Sequence, residues 1–383
     1  MEGMTPRIAP PPLPSFRGRL HDPRTATAIG RWLGLALTVC FVTGVISHYV
    51  QRPPDWLVDV LPSRPTWGYR LTQGLHVASG IAAIPLLMAK LWAVYPRLFV
   101  RPPLRSVRHG LERLSVAVLV AAGVLQLFTG LLNTVEWYPW PFAFVSVHFA
   151  VAWLLAGALL LHIAVKWPEI RSHWGRQSAG TLELPAEDEP DRRSLLAAIG
   201  VGVGAVTLTT VGQSFTPLKE LDLLAPRHPD HGTQGLPINR TAAAAGVTAA
   251  AARDWRLTVA GPRPYALTLA ELGALPQVEV RLPIACVEGW SVEARWTGVR
   301  IRDLLERAGA SPRSRVRVVS LERHGAYRVM EMGATYADDP LTLLALRLNG
   351  QVLSLDHGFP ARIIAPNRPG VWQTKWVGGL EVL

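Results

Sequence analysis

The stretch LPIACVEGWS, residues 282–291, contains Cys286, one of two cysteines in this chain of 383 residues. The other, Cys40, lies in an apolar run that we expect to be buried in a membrane, so a disulfide between them is excluded. An unpaired cysteine can be a small buried hydrophobe, a nucleophile or a metal ligand. The stretch alone favours the role of a buried hydrophobe. The surrounding sequence is needed to choose among the three roles.

The composition is typical of a membrane protein. Hydrophobic residues make up 49% of the chain and charged residues 17%, whereas a soluble protein carries about 25% charged residues. The net charge of +11 could indicate a nucleic-acid partner, but the basic residues gather in short loops between apolar segments. This pattern predicts contact with a lipid bilayer and no nucleic-acid partner.

Five apolar segments predict membrane crossings. Each of the first four has close to the roughly 20 residues that span the hydrocarbon core, and the fifth is weaker. The predicted segments are 30–50, 71–95, 112–133, 144–166 and 194–213.

Loop charges predict the orientation of these segments. Basic residues precede the first segment, separate the second from the third and follow the fourth, whereas the loop NTVEWYPWPFAF has none. The N-terminus is therefore expected inside a bacterial cytoplasmic membrane, and the chain after residue 213 outside, on the periplasmic face. The fifth segment follows a twin arginine, Arg192 and Arg193, which indicates an internal twin-arginine export signal or ordinary flanking charges.

The remaining chain predicts a different structural class. Short alternating runs bounded by Gly, Pro and Asn, among them GQVLSLDHG, indicate strands, and RIRDLLERAG indicates a short helix closed by Gly309. We expect a multidomain membrane protein with an all-α four-helix bundle, a fifth membrane helix and an α+β, mainly β, outer domain. The predicted divisions are a cytoplasmic arm at 1–28, the bundle at 29–170, a cytoplasmic linker at 171–193, the fifth helix at 194–213 and the outer domain at 214–383.

Four histidines lie in or at the ends of the apolar segments, where an ionisable side chain is expensive and therefore a functional candidate. His76 and His148 open two segments at similar depth, and such a pair can supply both axial imidazoles to one haem iron. His162 follows His148 by 14 residues on the same helix face, about 21 Å deeper. His48 is an alternative haem ligand or part of a quinone site. The simpler interpretation of each is a hydrogen bond between helices.

This histidine pattern resembles the four-helix cytochrome b subunits of respiratory formate dehydrogenases and hydrogenases. The resemblance implies that His76 and His148 bind an outer haem b, that His162 binds a possible inner haem, and that electrons are exchanged with the quinone pool. The chain departs from this family at the start of the first helix, where GRWLG has no histidine. His21, nine residues earlier, is the candidate inner partner, so one or two haems are expected.

The stretches CVEGWSVEARWTGVRIRDLL, residues 286–305, and DHGFPARIIAPNRPGVWQTKW, residues 356–376, resemble the molybdopterin-binding domain of the sulfite oxidase family. Within it, they are most similar to the periplasmic methionine sulfoxide reductases. The resemblance spans most of residues 236–383 and implies that Cys286 is a thiolate ligand of molybdenum. It implies a molybdopterin without a nucleotide. The residues implied to bind it are Asn239, Arg240, His357, Arg362, Asn367, Arg368, Thr374 and Lys375.

The residues after Cys286 bear on the substrate. Animal-type sulfite oxidases carry arginines here, whereas this chain has Glu288 and Trp290. An acid and an aromatic side chain disfavour a small dianion and suit a neutral sulfoxide or similar molecule. We therefore take Cys286, Glu288 and Trp290 as candidate catalytic residues. Glu288 is either a proton donor or the partner of a nearby arginine.

Together these features predict a molybdenum oxidoreductase that transfers an oxygen atom to or from a small oxo-acceptor or oxo-donor substrate. Reduction of an S-oxide or N-oxide is favoured, with haem b relaying electrons from quinol. Sulfite-type oxidation with electrons flowing to quinone is one alternative. Others are a haem-free anchored pterin-binding or sensing module, and a transmembrane ferric reductase with an accessory outer domain.

Overall fold

The computed structural model describes residues 21–96, 106–172, 192–229 and 231–383. Most of the predicted arm at 1–28 and of the predicted linker at 171–193 lies outside these ranges. The predicted apolar segments are all helical. The helices extend up to six or seven residues past several predicted ends, because flanking polar residues complete their turns. They are α1 (Pro23–Gln51), the short α2 (Asp55–Val58), α3 (Gly68–Val94), α4 (Val107–Thr134), α5 (Phe144–Ser172) and α6 (Arg192–Val211).

Five helices among the described residues are long and apolar enough to cross a membrane, namely α1, α3, α4, α5 and α6. Many of their large apolar side chains are exposed, including Met88 at 67% and Val201 at 72%. Exposed apolar surface on this scale marks contact with lipid or with another protein.

The chain divides into two compact units. The first contains the described parts of Met1–Leu37, Ala82–Leu127 and Ala150–Ala205. It is helical, and α6 packs on its small core through Ile199 and Val203. The second contains Thr38–Ile81, Phe128–Phe149 and Val206–Leu383. The second unit therefore includes one end of each of α1, α3, α4 and α5 together with the whole C-terminal domain.

The C-terminal domain is mainly β, as predicted, with two sheets of five strands each. One sheet has the order β2-β1-β10-β5-β6, in which β1 and β10 are parallel, and the other has the order β3-β4-β7-β8 with β9 beside β7. The strands are β1 (Arg256–Ala260), β2 (Tyr265–Thr268), β3 (Val278–Ala285), β4 (Ser291–Arg300), β5 (Val316–Ser320), β6 (Val329–Met332), β7 (Leu343–Leu348), β8 (Gln351–Val352), β9 (Arg362–Ile364) and β10 (Val377–Val382).

Short helices complete this domain. They are α7 (Ala242–Ala245), α8 (Ala249–Arg253), α9 (Leu269–Ala274), α10 (Ile301–Arg307) and α11 (Ala334–Ala337). Gly309 follows α10 with φ of +79°, as the predicted helix end requires. The run GQVLSLDHG, predicted as a strand, forms only the two-residue β8. The Ser354 side chain accepts a hydrogen bond from the His357 backbone N–H, which favours a tight helical turn there instead.

The main core of the domain also receives residues that precede α3 in the chain. Leu61 is buried in the same cluster as Leu257 and Leu344, and Leu57 packs against that cluster. The Thr335 hydroxyl donates to the Leu61 carbonyl at 2.8 Å, and Asp59 forms an ion pair with Arg315. The segment between α1 and α3 is therefore part of the β domain's packing.

Truncating a core residue of β7 should destabilise the β domain. Leu344 is 0% exposed, so Leu344→Ala leaves a cavity and removes about 2–5 kcal/mol from the free energy of unfolding. We expect the midpoint of thermal loss of β-sheet circular dichroism, in detergent, to fall by several degrees. Val352→Ala is the control, because Val352 is 54% exposed. An equal shift in both variants would contradict this packing.

Candidate active site

Cys286 lies directly after β3, at the start of a tight turn. Its N–H donates to the Trp290 carbonyl at 2.9 Å, and the Gly289 N–H donates to the Cys286 carbonyl at 3.2 Å. Gly289 has φ of +106°, a conformation that side chains rarely adopt, so glycine is required there. We call residues 286–291 the cysteine turn. The Cys286 residue is 1% exposed, and burial raises the pKa of its thiol well above the usual range. A thiolate at this position therefore needs a bound cation.

Five of the predicted site residues line one cavity, part of which is open to solvent. They come from distant parts of the chain and include the thiol, two cationic side chains, an amide and an indole. These residues are Asn239, Cys286, Trp290, Arg362 and Lys375.

The two cations are buried against the rest of the protein. Arg362 is 2% exposed, and its Nη1 donates to the His357 carbonyl at 3.2 Å. Lys375 Nζ donates to the carbonyls of Arg240 at 2.9 Å and Asp356 at 2.8 Å. Burial lowers the pKa of Arg362 to about 10, and burial together with Arg362 lowers the pKa of Lys375 to about 7. Because the two positive charges destabilise each other in one cavity, binding of an anion between them would be favourable.

Unsatisfied polar atoms on two of the predicted pterin-binding residues are suited to a phosphate group. Arg362 Nε and Thr374 Oγ1 are buried without a hydrogen-bond partner among the described residues. A guanidinium N–H and a hydroxyl are good donors to phosphate oxygens, and the cavity already presents the lysine. The donor set therefore fits a molybdopterin whose metal is bound by Cys286.

Two other predicted residues lie behind the cavity rather than on its surface. His357 is 1% exposed, and its Nε2 lies 2.6 Å from the Thr233 carbonyl. Burial lowers the pKa of His357 to about 4, so the ring is neutral near pH 7. Arg240 pairs with Glu322 at 2.9 Å. The backbone carbonyls of these two residues accept hydrogen bonds from the two cations. His357 and Arg240 therefore help to hold Arg362 and Lys375 in place.

Asn367 and Arg368, also predicted to bind the pterin, make other contacts in the structure. The Asn367 amide donates to the Pro62 carbonyl at 2.7 Å and accepts from the Tyr69 N–H at 2.6 Å. The Arg368 guanidinium donates to the Glu331 carbonyl and lies 5.0 Å from the Tyr336 ring centroid. Asn367 thus joins the start of α3 to the β domain.

Glu288 belongs to a small charged cluster that sequence reasoning missed in part. Its carboxylate accepts from Trp290 Nε1 at 3.1 Å and lies 4.0 Å from Arg227 Nε. Arg227 also pairs with Glu136, which is hydrogen-bonded to Glu288. Burial, and then Glu136, raise the pKa of Glu288 to about 8. The sequence feature that could have identified Glu136 is that it is the only charged residue in the loop before α5.

His76 on α3 and His148 on α5 lie together, as predicted, with ring centroids 6.3 Å apart and ring planes at 84°. This separation is of the order of two metal–nitrogen bonds of about 2 Å plus the ring radii. His76 Nδ1 lies 2.8 Å from the Cys40 carbonyl and His148 Nδ1 lies 3.2 Å from Thr129 Oγ1. Each ring therefore keeps Nε2 for a metal, and the pair fits a bis-imidazole haem.

Glycines allow neighbouring helices to approach these rings closely. A Cβ at Gly44 would lie 2.7 Å from His76 Cε1, and a Cβ at Gly130 would lie 3.4 Å from His148 Cε1. No group of three or more His, Cys, Asp and Glu that could hold a metal ion occurs in the part of the chain that the structure describes. A haem needs only the two axial imidazoles.

The other histidines are placed separately. The His48 ring stacks on the ring of Phe149, with their centroids 3.6 Å apart. Phe149 directly follows His148 in the chain. His162 lies farther along α5, within the first compact unit. His21, also in that unit, lies 4.6 Å from the Trp92 ring centroid. An inner haem that uses His162 stays a prediction.

Comparison with known proteins identifies the C-terminal domain. Residues 244–383 match the family described as oxidoreductase molybdopterin binding domain. YedZ1 of Azospira oryzae, a putative protein-methionine-sulfoxide reductase subunit, is 34% identical over 162 residues, 42% of this chain and 61% of that protein. YuiH of Bacillus subtilis, an uncharacterized oxidoreductase, is 32% identical over 130 residues, 33% of this chain and 64% of that protein. Mouse mitochondrial sulfite oxidase is 31% identical over 154 residues, 32% of this chain and 27% of that protein.

These matches confirm that the chain carries a molybdopterin-binding oxidoreductase domain. The chain spans less than two thirds of the length of these relatives. The family match begins at residue 244, after the last long helix, so it does not test the prediction that the long helices bind haem.

Removing the Arg362 guanidinium, whose Nε has no hydrogen-bond partner among the described residues, should lower the cofactor content of the protein. In Arg362→Met, the cavity loses its buried guanidinium, and a charge-assisted hydrogen bond contributes about 1.5–3 kcal/mol. We expect molybdenum and extractable pterin in the purified protein to fall by at least roughly tenfold. Arg347→Met is the control, because Arg347 is exposed on the neighbouring strand β7. Unchanged pterin content in Arg362→Met would exclude this arginine from the pterin site.

Proposed function

We propose that the protein is a membrane-bound molybdenum oxidoreductase in which haem b relays electrons between the quinone pool and an exported molybdopterin centre. The observation that carries this proposal is the proximity of the two candidate sites. The cysteine turn is bonded through the Val287 carbonyl to Gln73 on α3, the helix that bears His76, and to Asn133 on α4, whose Thr129 contacts His148.

The membrane assignment is supported by the five apolar helices and by the loop charges. The bacterial cytoplasmic membrane is the proposed location, with the N-terminus inside and the catalytic domain on the periplasmic face. Basic loops on the inner side support this orientation, as does the absence of Lys and Arg from the loop NTVEWYPWPFAF.

The proposed reaction is reduction of a neutral S-oxide or N-oxide. Breaking the bond between sulfur and oxygen consumes two electrons and two protons and yields a sulfide and water. One quinol supplies both electrons and two protons on oxidation, and a bound haem b would relay the electrons one at a time. When bound, the molybdopterin would supply the two-electron oxygen-atom chemistry. Cys286 would hold the metal, Arg362 and Lys375 would hold the pterin anion, and Trp290 lines the cavity beside the thiol.

The charges around Glu288 support a neutral substrate. Arg227 is the basic residue beside the acid, and Glu136 pairs with it. The positive charge of Arg227 is therefore offset, and this group offers a sulfite dianion little attraction. Sulfite oxidation with electrons flowing to quinone is the second candidate, because relatives named sulfite oxidases align with the chain.

Two matched substitutions test the electron path. His148→Ala should remove the contribution of the outer haem to the b-type optical spectrum and abolish quinol-driven turnover, because this haem loses one axial ligand. It should retain activity with a reduced viologen that delivers electrons directly to the molybdenum centre. Cys286→Ser should show the reverse pattern, with an intact haem spectrum and lost molybdenum. His109→Ala on α4 serves as the control.

The alternatives give other results in the same experiment. A purified protein with molybdopterin but no haem spectrum would support a haem-free anchored module. Ferric reduction that survives Cys286→Ser in cells without molybdopterin would support a ferric reductase.

Substrate charge should affect turnover. We expect a neutral aryl methyl sulfoxide to be reduced with a kcat/KM at least roughly tenfold above that of its sulfonate-bearing analogue, because Glu136 offsets the charge of Arg227 and a buried anion beside them would lose its hydration without gaining a countercharge. Viologen oxidation at equal substrate concentrations measures both. Sulfite oxidation faster than any sulfoxide or N-oxide reduction would reverse the proposed direction of electron flow.

A further inference from the structure

The cysteine turn is held by two amide side chains from the long helices. Gln73 on α3 donates through Nε2 to the Val287 carbonyl at 2.8 Å, and Asn133 on α4 donates through Nδ2 to the same oxygen at 3.3 Å. Gln73 is 5% exposed and Asn133 is 9% exposed. Val287 directly follows Cys286, so both bonds fix the backbone beside the candidate metal ligand.

The turn also packs closely on α3. A Cβ at Gly289 would lie 2.9 Å from Val77, too close for any side chain at this position without movement of the valine. Val77 directly follows His76 in the chain, and the same stretch of α3 therefore meets both candidate cofactor sites.

The segment that follows α6 closes the other side of the turn. The Ser214 hydroxyl donates to the Gly289 carbonyl, and the Ser291 N–H donates to the Gln213 carbonyl at 2.7 Å. Gln213 and Ser214 are each 1% exposed. The turn is thus bonded on two sides by segments outside the β domain's own sheets.

We propose that Gln73 and Asn133 are positioning residues that clamp the cysteine turn onto α3, which bears His76, and onto α4, which contacts His148, and thereby set the rate of electron transfer from haem to molybdenum. The inference rests on the proposed function. Each transfer moves one electron from reduced haem to the oxidised molybdenum centre. Two transfers, with two protons, balance one sulfoxide reduction. Because transfer slows steeply with distance, a loosened turn slows this step while the chemistry at the metal continues.

Rapid-mixing spectroscopy of the full-length, detergent-purified protein tests the clamp. Quinol-reduced protein is mixed with a neutral aryl methyl sulfoxide, and the decay of the reduced-haem band is followed. We expect the double variant Gln73→Met, Asn133→Leu to slow this decay by roughly tenfold or more, since both bonds to the Val287 carbonyl are lost. Viologen-driven kcat and KM should stay within about twofold of the unmodified protein, because viologen bypasses the haem.

Thr72→Val is the matched control. It is also a polar-to-apolar change on α3, one residue from Gln73, and its hydroxyl donates to the Tyr69 carbonyl of the same helix. Haem reoxidation in this variant should match that of the unmodified protein. Amide hydrogen exchange over residues 286–291 gives a readout that does not depend on turnover, and it should rise in the double variant and not in Thr72→Val.

Two results would overturn the clamp alone. One is unchanged haem reoxidation in the double variant. The other is an equal fall in quinol-driven and viologen-driven turnover at full molybdenum content, which would place the effect at the metal site itself. In both, a normal b-type spectrum and molybdenum content in the unmodified protein would leave the proposed function standing. Absence of either cofactor from the unmodified protein would overturn the proposed function and the clamp with it.

Discussion

Two buried cations, Arg362 and Lys375, share a cavity with the Cys286 thiol, and burial disfavours the charge on both. Their carbonyl partners satisfy some of their N–H groups but supply no countercharge. A bound anion would satisfy the free Arg362 Nε and reduce the repulsion between the cations. The domain is therefore expected to gain stability when its cofactor binds, since a ligand that prefers the folded state stabilises it.

The features predicted from the sequence are those that depend on local patterns. Helix lengths follow from apolar runs, and strands such as β1 and β5 follow from alternation that one buried face requires. His76 and His148 could be paired because helix geometry converts residue spacing into depth. Asn239, Cys286, Arg362 and Lys375 came from the family resemblance, and the structure brings them into one cavity.

The contacts that the sequence left unpredicted join distant segments. Gln73 and Val287 are 214 residues apart, and Asn367 reaches the Tyr69 N–H across 298 residues. A glutamine in an apolar segment and an asparagine in a loop have ordinary local interpretations, so their partners emerge only from the fold. The same holds for Arg227 and Glu136, whose pairing depends on the approach of the loop before α5 to the cysteine turn.

This packing has a consequence for how the two halves of the chain work together. Glu136 from the helical half pairs with Arg227 and contacts Glu288, while Gln73 and Asn133 hold the adjacent Val287 carbonyl. Residues that precede the β domain therefore influence both the charge around Glu288 and the position of the cysteine turn. A β domain transferred onto unrelated helices would lose both influences at once, even with Cys286 and its cavity intact. In the proposed function, substrate preference and electron delivery would thus both depend on the joined chain.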